Sequence, residues 1–195
     1  MILLSALAAG CADPIGHARP DAAGPTMMED DGGTMPAGKV ATTRGSDGTY
    51  TTIVDASSQT EWTIADFETG GEVAMTDAWD LRFQRFHIST NGGVTGNGGV
   101  EVAPITGMAF AAVTTAPPTG YLSDDEDANG DMVPDYAFEQ GDGWYDYDPM
   151  THVLAPKPIV WVVKTNGGTT LKLEILKYYD MAGTSGWFTL HWSPL

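Results

Sequence analysis

The chain reads as an all-β protein: two antiparallel sheets in a sandwich-like arrangement with long loops. Three observations carry that expectation. Several segments alternate apolar and polar residues with period 2, the pattern of a strand with one buried face. The 195 residues include 24 glycines and 12 prolines, enough for many tight turns. No segment combines the length and the 3.6-residue periodicity of an amphipathic helix.

Taken in order, residues 1–11 form an apolar run, Met1-Ile2-Leu3-Leu4-Ser5-Ala6-Leu7-Ala8-Ala9-Gly10-Cys11. Small residues ahead of a cysteine resemble a bacterial lipobox, in which a signal peptide is cut before the cysteine and acyl chains then supply membrane affinity. Cys11 is the expected lipidation site. Ala8 stands where leucine is usual and no cationic segment precedes the run, so the natural start is expected upstream. Cys11 is also the one cysteine of the chain, which rules out an intramolecular disulfide. Residues 12–48 carry Pro14, Pro20, Pro25 and Pro36 among small and acidic side chains. Such a segment buries too little apolar surface to offset its ordering entropy, and a flexible tether is expected.

The β domain is expected over 49–195. Tyr50–Val54 and Trp62–Phe67 are its first strands, and Glu68–Glu72 is the turn after the second. From Trp79 to Thr90, Trp79, Leu81 and Phe83 alternate with Asp80, Arg82 and Gln84. Phe86 and Ile88 fall on the opposite phase, which predicts a β-bulge near Arg85. Asn91-Gly92 is a turn signal, since both residues tolerate positive φ, and it lies within a glycine-rich loop from Thr90 to Gly99. Val100–Ile105 and Met108–Val113 are expected as short strands. Residues 117–150 form a long irregular excursion interrupted only by short pieces, and loops of that length in compact domains tend to be functional or metal-stabilised. Three strands close the chain: Ile159–Lys164, Leu171–Tyr179 and Trp187–Trp192. Asn166-Gly167 joins the first two as a hairpin. Thr-Asn-Gly-Gly occurs at Thr90 and again at Thr165, but the flanking residues differ, so these are two similar turns.

The formal charge is −17, from 26 acidic and 9 basic residues. That argues against nucleic-acid binding, which needs lysine and arginine in place of phosphate counterions. It also disfavours direct adsorption to anionic lipid. Catalytic signatures are missing: there is no Gly-Xaa-Ser-Xaa-Gly elbow, no His-Glu-Xaa-Xaa-His and no P-loop, so no enzyme is expected.

The acidic stretch Asp125-Glu126-Asp127-Ala128-Asn129-Gly130-Asp131-Met132-Val133-Pro134-Asp135 has oxygen-bearing side chains at alternate positions, as calcium loops do. In the favoured register the ligands are Asp127, Asn129, Asp131, the Val133 carbonyl and Asp135, an order similar to thrombospondin type-3 repeats. Met132 then stands where glycine is usual, and Phe138 where a last carboxylate is expected. A register from Asp125 places Gly130 correctly but puts Val133 and Tyr136 at ligand positions.

The run Trp79-Asp80-Leu81-Arg82-Phe83-Gln84-Arg85-Phe86-His87-Ile88-Ser89-Thr90-Asn91-Gly92-Gly93, with Gly96 and Gly98-Gly99, resembles the signature of the HmuY family of bacterial haem-binding lipoproteins. Gly143-Trp144-Tyr145-Asp146-Tyr147, Trp161-Val162-Val163-Lys164-Thr165 and Lys172-Leu173-Glu174-Ile175-Leu176-Lys177-Tyr178-Tyr179 follow in the family's order. The resemblance covers roughly Thr49 to the C-terminus. It implies a two-sheet, non-enzymatic protein that captures haem or a related tetrapyrrole at the outer membrane or cell surface. A lipid anchor would hold it there, with an outer-membrane haem receptor as a further partner and iron acquisition as the purpose. The family's axial ligands, histidines on loops and methionine in some relatives, align with no motif here.

Haem iron takes a neutral imidazole or a thioether within an apolar, aromatic cleft. Of four histidines, His17 lies in the tether, and His87 and His191 lie on strands where a structural role is expected. His152 is the leading candidate, because it follows Trp144, Tyr145 and Tyr147. Met150, Met132 and Met108 are candidates for a second ligand. The alternative is a calcium-stabilised structural or adhesion-type surface module that has lost haem binding. A carbohydrate-binding sandwich, resting on six tryptophans and seven tyrosines, is a third reading and would need aromatics in a flat exposed row.

Overall fold

The computed structural model describes residues 38–127 and 130–195. Among them the chain forms strands β1 (Val40–Arg44), β2 (Tyr50–Asp55), β3 (Thr63–Asp66), β4 (Gly71–Glu72), β5 (Leu81–Gln84) and β6 (His87–Thr90). Then follow β7 (Glu101–Thr106), a 3₁₀ turn (Phe110–Ala112), β8 (Tyr145–Asp148), β9 (Val153–Pro156), β10 (Ile159–Lys164), β11 (Thr170–Tyr179) and β12 (Ser185–Pro194). Ten strands make one sheet, ordered β6-β5-β3-β4-β1-β2-β12-β11-β10-β7, and β8 pairs only with β9 in a separate ribbon. Every pairing is antiparallel. The all-β, antiparallel expectation holds. The two faces expected of a sandwich, however, belong to one sheet that curls over itself into a near-barrel. Phe83 of β5 meets Phe188 of β12 at 5.2 Å across the interior, and Phe67 meets Trp192 at the same distance.

Alternation explains most strands. In β12 the buried positions are Gly186, Phe188, Leu190 and Trp192, and in β11 they begin with Leu171, Leu173 and Ile175. β10 is different: five of its six residues are buried. Trp161 and Val163 face the main core, while Val160 and Val162 join Ala103 and Val113 in a second cluster on the other face. A strand covered on both faces reads as a continuous apolar run, and Ile159-Val160-Trp161-Val162-Val163 is one.

Four expectations are corrected. Val40–Arg44, expected inside the 12–48 tether, is a strand that pairs with β2 along its whole length. Its Val-Ala-Thr-Thr sequence suits a pleated surface, and Val40 packs in the core. The expected bulge at Arg85 is instead a hairpin turn: Gln84 pairs with His87, so Trp79–Thr90 is two strands joined by Arg85-Phe86. Arg85 takes φ +52 and donates to the Ser57 and Ser185 carbonyls, contacts that hold the residue in a conformation non-glycine residues seldom adopt. The expected strand Met108–Val113 is the 3₁₀ turn, since Gly107 at φ +73 ends β7 and the Ala112 and Val113 amides turn back to Ala109 and Phe110. Finally, Gly71 and Glu72, expected in the turn after the second strand, form β4 and pair with β3 and β1.

The glycine-rich loop is a knot of buried polar contacts. Asn91 donates to the Trp79 carbonyl (2.8 Å) and accepts from the Gly98 amide (3.0 Å). A Cβ on Gly98 would collide with the Asn166 side chain, and one on Gly93, at φ +63, would overlap the Asp124 carbonyl. These positions need glycine for close approach. Asp124 is 1% exposed and gathers five donors: Ser89 Oγ (2.7 Å), the Thr90 amide (3.0 Å) and hydroxyl (3.1 Å), Thr95 Oγ1 (2.6 Å) and the Ala137 amide (2.9 Å). Two residues earlier, Leu122 exchanges backbone hydrogen bonds with Val102 of β7 at 2.8 and 2.9 Å. The segment 122–124 therefore straps β6, at one end of the sheet order, to β7, at the other.

Candidate ligand site

The β8–β9 ribbon stands on a buried base. Trp144, just before β8, is 1% exposed, packs against Phe188 at 5.2 Å and donates Nε1–H to the Phe86 carbonyl at 3.0 Å. The Leu154 amide donates to the Tyr179 hydroxyl at 2.9 Å, which ties β9 to β11. Beyond that base the ribbon emerges into solvent.

Its turn is organised by Asp148. The carboxylate accepts from the Met150 amide (2.8 Å) and the Thr151 hydroxyl (2.7 Å), and the Asp148 carbonyl accepts from the His152 amide (2.8 Å). The Thr151 and Met150 bonds hold the Asp148 carboxyl below the usual range. His152 takes φ +58, and its Nδ1 meets the Tyr147 hydroxyl at 2.5 Å. That contact orients the imidazole and leaves Nε2 as the remaining ring nitrogen. His152 is exposed and Met150 is 87% exposed, so the ribbon tip presents an imidazole, a thioether and a phenol ring together. An imidazole nitrogen and a thioether sulfur are both donors that a haem iron accepts.

The other methionine candidates lie elsewhere. Met132, 94% exposed, sits in the acidic loop. Met108, 47% exposed, borders a groove of about 200 Å³ with Ile105, Val113 and Pro117. Small-molecule pockets run to roughly 300–1,000 Å³, so this groove is too small to enclose a tetrapyrrole. His87 lies between Phe86 and Tyr136, with Nδ1 3.1 Å from Glu139. His191 is held by Glu174 at 2.8 Å and packs on Phe110. Cys11, His17 and Asn129 lie outside the described residues. Four of the six tryptophans are buried and the other two half-buried, and Tyr147 alone of the seven tyrosines is exposed, which leaves no exposed row of the kind a carbohydrate platform needs.

In the acidic loop, Asp127 accepts from the Gly130 (2.7 Å), Asp131 (3.0 Å) and Met132 (2.7 Å) amides, and the Asp131 carboxylate accepts from Val133 (2.9 Å). The Asp125 amide donates to the Asp135 carbonyl at 3.1 Å and closes the loop. Gly130 and Met132 both take positive φ, the conformation each register assigns to its glycine. The residue that sequence reasoning missed is Asp124. In sequence it is one more carboxylate ahead of an acidic run, and only the fold reveals it as buried.

No curated protein matches this chain. Among solved structures, a candidate HmuY-like haem-binding protein of Bacteroides vulgatus superposes with a TM-score of 0.61 at 20% identity, covering 80% of this chain and 96% of its own. A candidate lipoprotein of Bacteroides fragilis gives 0.60 at 19%, with 83% and 97% covered. The apo form of a Tannerella forsythia HmuY analogue gives 0.58 at 17%, with 74% and 94% covered. These likenesses show the fold. The family model described as HmuY protein matches residues 58–192, most of the β domain and all the motifs quoted above, and the chain belongs to the HmuY family.

Proposed function

We propose that this protein is a non-enzymatic, lipid-anchored binder of haem or a related tetrapyrrole, held at the outer membrane by acyl chains on Cys11. The observation that carries the reading is the β8–β9 tip, where His152 has its Nδ1 engaged by Tyr147 and stands beside exposed Met150. The haem-binding description of the Bacteroides vulgatus neighbour and the lipoprotein description of the Bacteroides fragilis one agree with it. Met108 and Met132 fit less well, one at a small groove and the other on the acidic loop. An outer-membrane haem receptor would be the acceptor of captured haem.

The test is hemin titration followed through the Soret band. A saturable red shift is expected for the wild type and a weakened or altered one for His152→Ala. Unchanged spectra for the variant would remove His152 from the site, and no shift in the wild type would favour a structural surface module. The second reading of the acidic loop, calcium stabilisation through Asp127, Asn129, Asp131, Val133 and Asp135, is supported by the way the Asp127 carboxylate already winds the loop around itself.

A further inference from the structure

We propose that Asp66, Glu68 and Asp80 form a proton-held latch that closes the curled sheet and loosens as the solution turns alkaline. The three carboxylates come from the end of β3, the turn after it and the approach to β5, and one oxygen from each lies within 4.8 Å of the others. Asp80 is 0% exposed and Asp66 5%, and Glu68 Oε2 is shut off from solvent without a hydrogen-bond partner. Facing them is the turn between β10 and β11. There the Thr165 hydroxyl donates to Glu68 Oε1, and the Asn166 amide donates to Asp80 Oδ1 at 2.7 Å. Asp80 Oδ2 accepts from the Phe67 amide at 2.8 Å, and Asp66 accepts from the Thr69 amide at 2.7 Å. The latch thus joins the β3–β5 part of the sheet to the β10–β11 part, and Asn166 reaches on to the Gly98 carbonyl of the glycine-rich loop.

Among the described residues no ion pair offsets these charges. The facing turn contributes Thr165 and Asn166, which are neutral. Lys164 is paired with Glu101 at 3.0 Å, and Arg82 lies over the rings of Trp62 and Trp79. Three carboxylates in so little water do not all ionise at neutral pH. One proton held on Asp80 removes a charge from the buried cluster. In keeping with this, burial and then the Glu68 charge push the Asp80 carboxyl up to about 8, and burial raises that of Asp66.

An aspartate in the unfolded chain titrates near ~3.9. A group whose folded value lies above its unfolded value stabilises the fold fully below the unfolded one. That contribution declines as pH rises and is lost above about 8. The carboxylates whose values are lowered, Asp47, Asp148 and Asp180, act in the opposite direction and at acid pH.

The experiment is thermal melting of the whole chain at several pH values from 6 to 9, with a chelator present so that protons alone are read. The wild-type melting temperature is expected to fall by about 5 °C across that range. Glu68→Gln keeps an acceptor for Thr165 and removes one charge, and a smaller fall is expected for it, since burial of Asp80 remains. Equal slopes for the two proteins would overturn the proposal. Should the variant not fold, the Asp80 side-chain carbon followed by NMR in the wild type decides: a midpoint near 8 supports the latch, and an ordinary aspartate midpoint overturns it.

Discussion

The glycine-rich loop and the β8–β9 tip are opposites in construction. In the loop, Asn91, Gly93, Gly98 and Asp124 are each fixed by close contacts, and Asn91 and Asp124 are buried although Val94 and Asn97 reach solvent. At the tip one aspartate organises a four-residue turn, and the side chains that could meet a ligand lie in water. The loop's resemblance to the family includes Asn91, Gly93 and Gly98, where a change breaks packing or orphans a donor. The tip carries donor atoms on a fixed base without a comparable pattern, since exposed positions are constrained only by what they bind.

Substitutions sharpen this contrast. The largest effect is expected for Gly93→Ala, whose Cβ would overlap the Asp124 carbonyl while its backbone stays at positive φ. Loss of the folded state is expected, checked by circular dichroism and soluble yield. A variant that melts like the wild type would show that the knot can relax. Asp124→Ala comes next. It leaves five donors short of their acceptor, and a loss on the order of 3–5 kcal/mol is expected in urea unfolding. Calcium at millimolar concentration is expected to raise the melting temperature by a few degrees through the Asp127 loop, and Asp127→Asn should remove that rise. An identical response in the variant would place the ion elsewhere. The smallest effect on stability is expected for His152→Ala, within about 0.5 kcal/mol, because the residue is exposed. A cost above ~1.5 kcal/mol would make His152 part of the scaffold and would confound its role in the hemin titration.

Much of the fold was legible in the sequence. Period-2 alternation located β2, β5, β11 and β12, and the continuous apolar run located β10, because burial on one or two faces leaves those marks. Arg85-Phe86 was not legible as a hairpin turn. Neither residue is a usual turn former, and the left-handed Arg85 is held by Ser57 and Ser185, the latter 100 positions away. Met108–Val113 failed for a related reason, since a glycine at positive φ overrode local alternation. At the candidate site, His152 and Met150 were legible as residue types near aromatics. The meeting of His152 with Tyr147 at the tip depends on the register of a short ribbon, and that ribbon is anchored by the Trp144 and Leu154 contacts with the main sheet. Asp124 could not be told from its acidic neighbours, because a buried carboxylate is defined by distant donors.

The strap at 122–124 has a consequence for how copies of this protein tolerate one another. A ten-stranded sheet that does not close through its own strands has two bare margins, and such margins recruit strands from other molecules. Here one short segment occupies both: Leu122 against Val102, and Asp124 against Ser89 and Thr90. Pro104 in β7 removes a further amide from one of them. Each molecule is thereby a poorer template for a strand of its neighbour.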